Sequence, residues 1–246
     1  MSQAMVIEKT AQAKGAADGF KAEQVLSQQA NVKPALSAYF GKQVAEIQVI
    51  WGKKSDVVII FADGSKTTAQ IKNFTNPNMA KWPFHQTNRR WLKDLPAEFQ
   101  GIASHVCLGQ PKNRGRLKGL TRKEFLSPFV MPTAENSKNL ARLVLLGPVE
   151  EVDWAPQHMI LTVMTGGIIQ RLWAESMTSF LAAVDSAMYP TPQLGEEGTS
   201  LFICPEISMQ RKGGDKGKPS ADQMQFKLYF DADTMSRHHY TELPLE

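Results

Sequence analysis

Lys54-Ser55-Asp56-Val57-Val58-Ile59-Ile60-Phe61, then Asp63-Gly64, then Thr67-Thr68-Ala69-Gln70-Ile71-Lys72 is the stretch on which the reading of this chain turns. Two runs rich in β-branched residues joined by Asp-Gly predict a β-hairpin. Side chains alternate along a strand, so Gln70 and Lys72 share one face while Ile71 points to the other, into a core. The register decides whether Asp56 joins them. A two-residue loop at Asp63-Gly64 sets Ala62 opposite Ser65 and Asp56 opposite Ile71, on the wrong face. A three-residue loop, Asp63-Gly64-Ser65, or a bulge sets Asp56 opposite Lys72 and beside Gln70. In that second case an acid, an amide oxygen and an ammonium converge. This set suits metal-dependent phosphodiester hydrolysis, with hard oxygen ligands for Mg²⁺ and a cation to orient water or stabilise developing charge. The ordinary alternative is a solvated hairpin with scattered polar residues.

The composition suits a globular protein. The chain has 246 residues, 42% hydrophobic and 21% charged, with 28 Lys+Arg against 24 Asp+Glu for a net charge of +4. A mild basic excess points to an anionic partner only where it is clustered. Cys107 and Cys204 are too few for a disulfide framework or a cysteine-based zinc site. No run reaches the roughly 20 apolar residues of a membrane span, and MSQAMVIEKTAQAKG lacks the apolar core of a secretory signal, so a cytoplasmic protein is expected.

Outward from the hairpin, a helix is expected from near Asp18, with Phe20, Val25 and Leu26 on one face and Glu23 beside them. A short helix follows over Pro34 to Tyr39, closed by Gly41, and an extended run over Ala45 to Trp51. This α/β opening lets Glu23 reach the end of the sheet that carries Asp56. In the second half, Ala141 to Leu146 is apolar and ambiguous. His158 to Thr165, Gly166-Gly167 and Ile168 to Trp173 predict a second hairpin, and roughly Ser176 to Met188 a helix with Met177, Phe180, Leu181, Val184 and Met188 at helical spacing.

Three segments carry clustered basic character. KWPFHQTNRRWLK (81–93) interleaves Lys81, Arg89, Arg90 and Lys93 with Trp82, Phe84 and Trp91, which suits contact with phosphates and stacking against bases, or else a helix with one buried aromatic face. QPKNRGRLKGLTRK (110–123) holds six cations and no acid, either a solvated loop or a clamp on a nucleic-acid backbone. Ile207 to Asp215 and Met224 to Leu228 display Gln210, Arg211, Lys212, Gln225 and Lys227 around Gly213-Gly214. Such side chains offer donors to base edges, and the glycines allow close backbone approach. The ordinary alternative is a basic surface hairpin. His238-His239 is expected to lie in an exposed tail, because no third metal ligand is in view.

GFKAE near the N-terminus, Ser55-Asp56 followed by Gln70-Ile71-Lys72, FHQTNRRWL, and QRKGGDKGKPSADQMQFK occur in this order. Together they resemble the HinP-type type II restriction endonucleases, MspI-like monomeric enzymes of the PD-(D/E)xK nuclease superfamily that cut four-base GC-rich sites. The similarity runs from about Gly19 to Lys227. It implies an α/β fold, a restriction-endonuclease-like mixed β-sheet flanked by helices with a second β-rich DNA-reading subdomain. The expected division is residues 1–130 for the catalytic part and 131–246 for recognition, within one compact unit.

The resemblance also implies roles. Asp56 matches the metal-binding acid, Gln70 stands where most of the superfamily has Glu or Asp, Lys72 matches the catalytic lysine, and Glu23 matches a helix glutamate that supports the site. Gln86 and Arg89 lie where the family enters distorted DNA. Gln210, Arg211, Lys212, Gln225 and Lys227 lie in its base-reading and backbone-contacting region. The expected activity is Mg²⁺-dependent cutting of both strands of double-stranded DNA at a short palindrome, GCGC by family analogy, by a monomer or weak dimer paired in function with a DNA methyltransferase. A structure-specific repair nuclease or junction resolvase, and a DNA-binding protein without catalysis, are the alternatives.

Overall fold

The computed structural model describes residues 21–51, 53–74, 85–106, 120–195, 200–211, 223–230 and 236–246. In chain order these form α1 (21–28), α2 (Val32–Phe40), β1 (Val44–Val49), β2 (Val57–Phe61), β3 (Lys66–Phe74), β4 (His85–Trp91), α3 (Ala97–Val106), α4 (Arg122–Leu126), α5 (Ala134–Leu146), β5 (His158–Thr165), β6 (Ile168–Ser176), α6 (Met177–Ser186), β7 (Gln193–Leu194), β8 (Ser200–Cys204), β9 (Ile207–Arg211), β10 (Gln223–Leu228) and β11 (Thr241–Leu243). The fold is mixed α/β, with a six-stranded mixed sheet and a separate five-stranded antiparallel sheet, each accompanied by helices.

The chain divides into two compact units. One comprises Met1–Lys81, Val149–Phe180 and His238–Glu246, the other Trp82–Pro148 and Leu181–Arg237. Each unit thus draws on both halves of the sequence, and the expected division between residues 130 and 131 lies inside the second. The reason is a long-range pairing. β3 pairs in parallel with β5, Gln70 beside Met159 and Lys72 beside Leu161, and a parallel neighbour must come from a distant part of the chain.

In the first unit the sheet order is β1-β2-β3-β5-β6-β11, antiparallel at every pairing except β3–β5. One face is apolar. Val57, Ile59, Phe61, Ala69, Ile71, Ile160, Leu172 and Ala174 pack there with Leu26 of α1 and Val32, Ala35 and Leu36 of α2. Truncating a fully buried member such as Ile59 to alanine costs about 2–5 kcal/mol, so this layer holds the opposite face of the strands in place. Gly41 ends α2 at φ 62°, the left-handed geometry that glycine adopts without strain.

The β2–β3 hairpin has a three-residue loop, shifted from the expected one. Val57 pairs with Ala69 and Ile60 with Lys66, and the Phe61 N–H donates to the Ser65 carbonyl, so the loop is Ala62-Asp63-Gly64. Asp63 selects it. Its carboxylate accepts from the Ser65 N–H at 2.9 Å and from the Ser65 hydroxyl, and the Lys42 ammonium lies 3.0 Å away, an Asx turn that ends β2 one residue early. Shifting the loop by one residue at each strand preserves the face parity that the site requires.

In the second unit the sheet order is β4-β10-β9-β8-β7, with α3 against β8 and β9 and α5 against β4. Leu201, Ile203, Met209, Met224, Phe226 and Leu228 are buried from the sheet, and Phe99, Ile102, Leu140 and Val144 from the helices. The segment 85–91, open between a DNA-contacting surface and a buried helix, is a strand. The ambiguous Ala141 to Leu146 run is the end of α5, which starts at a capping box in which Thr133 and Asn136 exchange side-chain-to-backbone bonds. Most of 110–123 lies outside the described residues; Thr121 caps α4 through the same device with Glu124.

The C-terminal histidines correct another expectation. His238 is buried, its Nδ1 3.1 Å from Glu175 Oε2, and the His239 N–H donates to Glu175 Oε1 at 2.9 Å. The Glu175 carboxylate also accepts from the Ser179 hydroxyl, and these three donors hold it below the ordinary carboxylate range although burial opposes them. The segment is therefore an anchored edge of the sheet. Nothing in the local sequence of His238 points to Glu175, 63 residues earlier.

Candidate active site

Asp56 sits immediately before β2, and the hairpin turns it towards β3. Its N–H donates to the Ala69 carbonyl at 2.9 Å, and its Oδ2 accepts from the Ile71 N–H at 2.7 Å. Extending the β2–β3 register by one residue puts Asp56 opposite Gln70. Gln70 and Lys72 lie on the sheet face away from the Ile71 core and are themselves buried, at 3% and 8% exposure. The Lys72 ammonium is 3.9 Å from Asp56 Oδ2 and donates to the Ile71 carbonyl at 3.0 Å. The Gln70 amide nitrogen turns towards the Lys54 carbonyl, 3.5 Å away.

Glu23 joins this group from α1, where Ala22 and Leu26 face inward and leave residue 23 at the edge of the buried stripe. Burial, and after it the charge of Asp56, push the Glu23 carboxyl up to about 7 against the opposing Lys72 ammonium. Burial lowers the Lys72 ammonium from its ordinary value, against the pull of Asp56 and Glu23. Glu23, Asp56, Gln70 and Lys72 are thus brought together within the first unit.

Ser55 is a supporting residue that the sequence reading missed. Its N–H and hydroxyl both donate to the Trp154 carbonyl, at 3.1 and 2.8 Å, fixing the backbone that delivers Asp56. No pattern in the sequence connects residues 55 and 154; their contact exists only after β5 is placed beside β3.

Among the described residues no three His, Cys, Asp or Glu side chains gather as a metal cage. Asp56 and Gln70 instead offer one charged and one neutral oxygen-bearing group. That donor set fits Mg²⁺, a hard cation that keeps several waters and takes only one or two protein ligands at many sites.

The second cluster of sequence-predicted residues falls on the sheet of the second unit. Strand pairing gives two rows. Ser200, Gln210, Gln225 and position 89 lie across β8, β9, β10 and β4; Phe202, Ser208, Lys227 and position 86 form the next. Positions 86 and 89 are an odd number apart and would occupy opposite faces of a regular strand. A bulge at Phe226/Lys227 brings both to the Gln225–Lys227 side in the backbone register. Gln210, Gln225 and Lys227 are half-buried while Met209, Met224 and Phe226 behind them are buried, so this face is the polar one. Burial holds the Lys227 ammonium below its ordinary value. Arg211 ends β9 opposite Met224, off the Gln210 row, and Lys212 lies outside the described residues.

No family model matches the chain. No curated protein matches it by sequence. Among solved structures, it is similar to the crystal structure of the restriction endonuclease MspI in complex with its cognate DNA, at 13% identity and a TM-score of 0.45, over 81% of this chain and 78% of that one.

Proposed function

We propose that the chain is a Mg²⁺-dependent type II site-specific deoxyribonuclease that hydrolyses both strands of duplex DNA at a short, GC-rich palindrome. The observation that carries this reading is the convergence of Asp56, Gln70 and Lys72 on one face of the β2–β3 hairpin, with Glu23 coupled to them. The four motifs that resemble HinP-type enzymes support it, since these same residues lie in two of them.

Asp56 and Gln70 would hold Mg²⁺, which when bound supplies positive charge to the scissile phosphate and makes a coordinated water more acidic. Lys72 acts by position. A buried ammonium beside Asp56 presents N–H donors to an attacking water or to a phosphoryl oxygen, and burial strengthens each such bond. Glu23, with its carboxyl near 7, can take or return a proton near neutral pH. The rows headed by Gln225 and Lys227 face the bases. Gln210, Gln225 and Lys227 supply donors there, positions 86 and 89 lie beside them, and Arg211 ends β9.

Digestion of a fully sequenced plasmid with Mg²⁺, followed by run-off sequencing of the ends, tests the reading. Discrete fragments with a common sequence at every end are expected. Cutting only at junctions or lesions identifies a structure-specific nuclease. Binding without cutting at any Mg²⁺ concentration identifies a non-catalytic protein.

A further inference from the structure

We infer that Ser200 is a positioning residue that fixes Gln210 as a hydrogen-bond donor towards DNA, so that the base Gln210 meets presents an acceptor edge. The inference rests on the reading of the β9–β10 face as a base-reading surface.

Ser200 and Gln210 are directly paired across β8 and β9, and the Ser200 hydroxyl donates to Gln210 Oε1 at 3.2 Å. An amide held by its oxygen on the β8 side carries its two N–H donors on the β10 side, along the Gln225 row of the proposed base-reading face. A glutamine without such a partner reads either way, because rotation by half a turn exchanges its donor and acceptor ends. The bond therefore turns an ambiguous side chain into a defined one.

The start of β8 is itself held. The Gly195 N–H donates to the Ser200 carbonyl at 2.8 Å. A Cβ at Gly195 would stand 3.2 Å from the Phe202 ring and 3.4 Å from the Ser200 carbonyl oxygen, so a side chain there would push the ring back by a few tenths of an ångström. At the other end of the same face, Phe202 and Tyr229 stack with centroids 5.5 Å apart, and the buried Ser208 hydroxyl donates to the Tyr229 hydroxyl at 3.4 Å. Ser208 is thus occupied within the protein, whereas Gln210 is half-buried on the same polar side.

The chemical consequence is selective. In the major groove guanine offers O6 and N7, adenine N7 and thymine O4 as acceptors, whereas cytosine offers an amino donor. A donor-only Gln210 accepts the first three and rejects cytosine at its position.

The test is binding selection from a library of randomised duplexes, with Ca²⁺ replacing Mg²⁺ to prevent cutting, followed by sequencing of the bound pool for the natural chain and for S200A, S200T and Q210E. The natural chain is expected to exclude cytosine at one position of each half-site. S200A should admit it, with discrimination there falling roughly fivefold, the worth of one hydrogen bond. S200T, which keeps the hydroxyl, should restore the exclusion. Q210E keeps an oxygen facing Ser200 but replaces the amide donors with an acceptor, and should favour a base with an exposed amino group at that position. Thermal melts of all four proteins separate misfolding from altered reading.

An S200A pool identical to the natural one, or weakened equally for every sequence, overturns the inference while leaving the nuclease reading intact. A natural chain with no base preference at all overturns both. The Gln210 side-chain amide resonance in the free protein gives a readout independent of DNA. It should move in S200A and stay in S200T, and an unmoved resonance in S200A overturns the inference.

Discussion

Lys72 carries an ammonium on a side chain that is 8% exposed, a placement that is unfavourable unless charge and hydrogen bonds offset the lost water. Asp56 at 3.9 Å and the Ile71 carbonyl at 3.0 Å provide part of that offset, and burial still lowers the ammonium from its ordinary value. Lys72→Ala should therefore lower cleavage by roughly 10²–10³-fold or more while specific binding survives, read by plasmid cleavage beside a binding assay. Nicking at the normal rate would refute the role of Lys72. Glu23 carries the opposite sign. The unfolded carboxyl ionises near 4.5 and the folded one at about 7, so between these pH values the unfolded chain has released a proton that the folded chain keeps. Stability falls as pH rises through this window. Glu23→Gln should match the natural protein below its lower edge and exceed it above the upper edge, by about 1 kcal/mol once water reaching this half-buried group is allowed for. Thermal unfolding at about pH 3.5, a unit below the ordinary value of 4.5, and at about pH 8, a unit above the folded value of about 7, makes the comparison.

Two strand pairings set the two candidate surfaces. In the β2–β3 hairpin Gly64 holds φ 81° with open space around it, so Gly64→Ala meets only backbone strain. It should cost about 1 kcal/mol, seen as a fall in Tm of about 2–4 °C, with the parity of Asp56, Gln70 and Lys72 retained. In the β4–β10 pairing Lys227 lies where the bulge resets the register. Replacing it should remove about 1–3 kcal/mol of discrimination at one base position if it makes a bidentate base contact; loss spread evenly over all sequences would instead identify a phosphate contact. The shared face of the candidate residues was legible because alternation along a strand is a local rule, and Gln70-Ile71-Lys72 obeys it. The loop was legible in length and not in position, since Asp63 recruits Ser65 and Lys42 through side-chain bonds that composition does not reveal. The start of α5 had a readable cue, Thr133 three residues before Asn136, which the apolar run at its far end obscured. The Ser55–Trp154 and His238–Glu175 contacts had none, being products of long-range strand order.

At the scale of the whole chain, the described residues hold one candidate set of this kind, Glu23, Asp56, Gln70 and Lys72. A duplex has two strands of opposite polarity, so a single chain must cut them in succession. Supercoiled plasmid should pass through an open-circle form that builds up early and decays to linear product, followed by gel time course. Direct appearance of linear DNA at low enzyme concentration would mean that two chains meet on the site. The first unit is also discontinuous, assembled from Met1–Lys81, Val149–Phe180 and His238–Glu246. That organisation escaped the sequence reading because a parallel pairing such as β3–β5 leaves no signature near either strand.

The edge strand β11 gives this discontinuity a cellular meaning. Leu243 pairs with Leu172 and packs into the layer that backs β2 and β3, Arg171 binds Glu242 through two nitrogens, and Glu175 takes His238 and His239. During translation none of this forms until residues 238–246 have left the ribosome, by which time the whole of the second unit has already emerged. A nascent chain thus carries the proposed reading surface before the unit with the proposed catalytic set is closed. For a protein whose proposed reaction would damage the chromosome of the cell that makes it, the order of synthesis is itself a delay line.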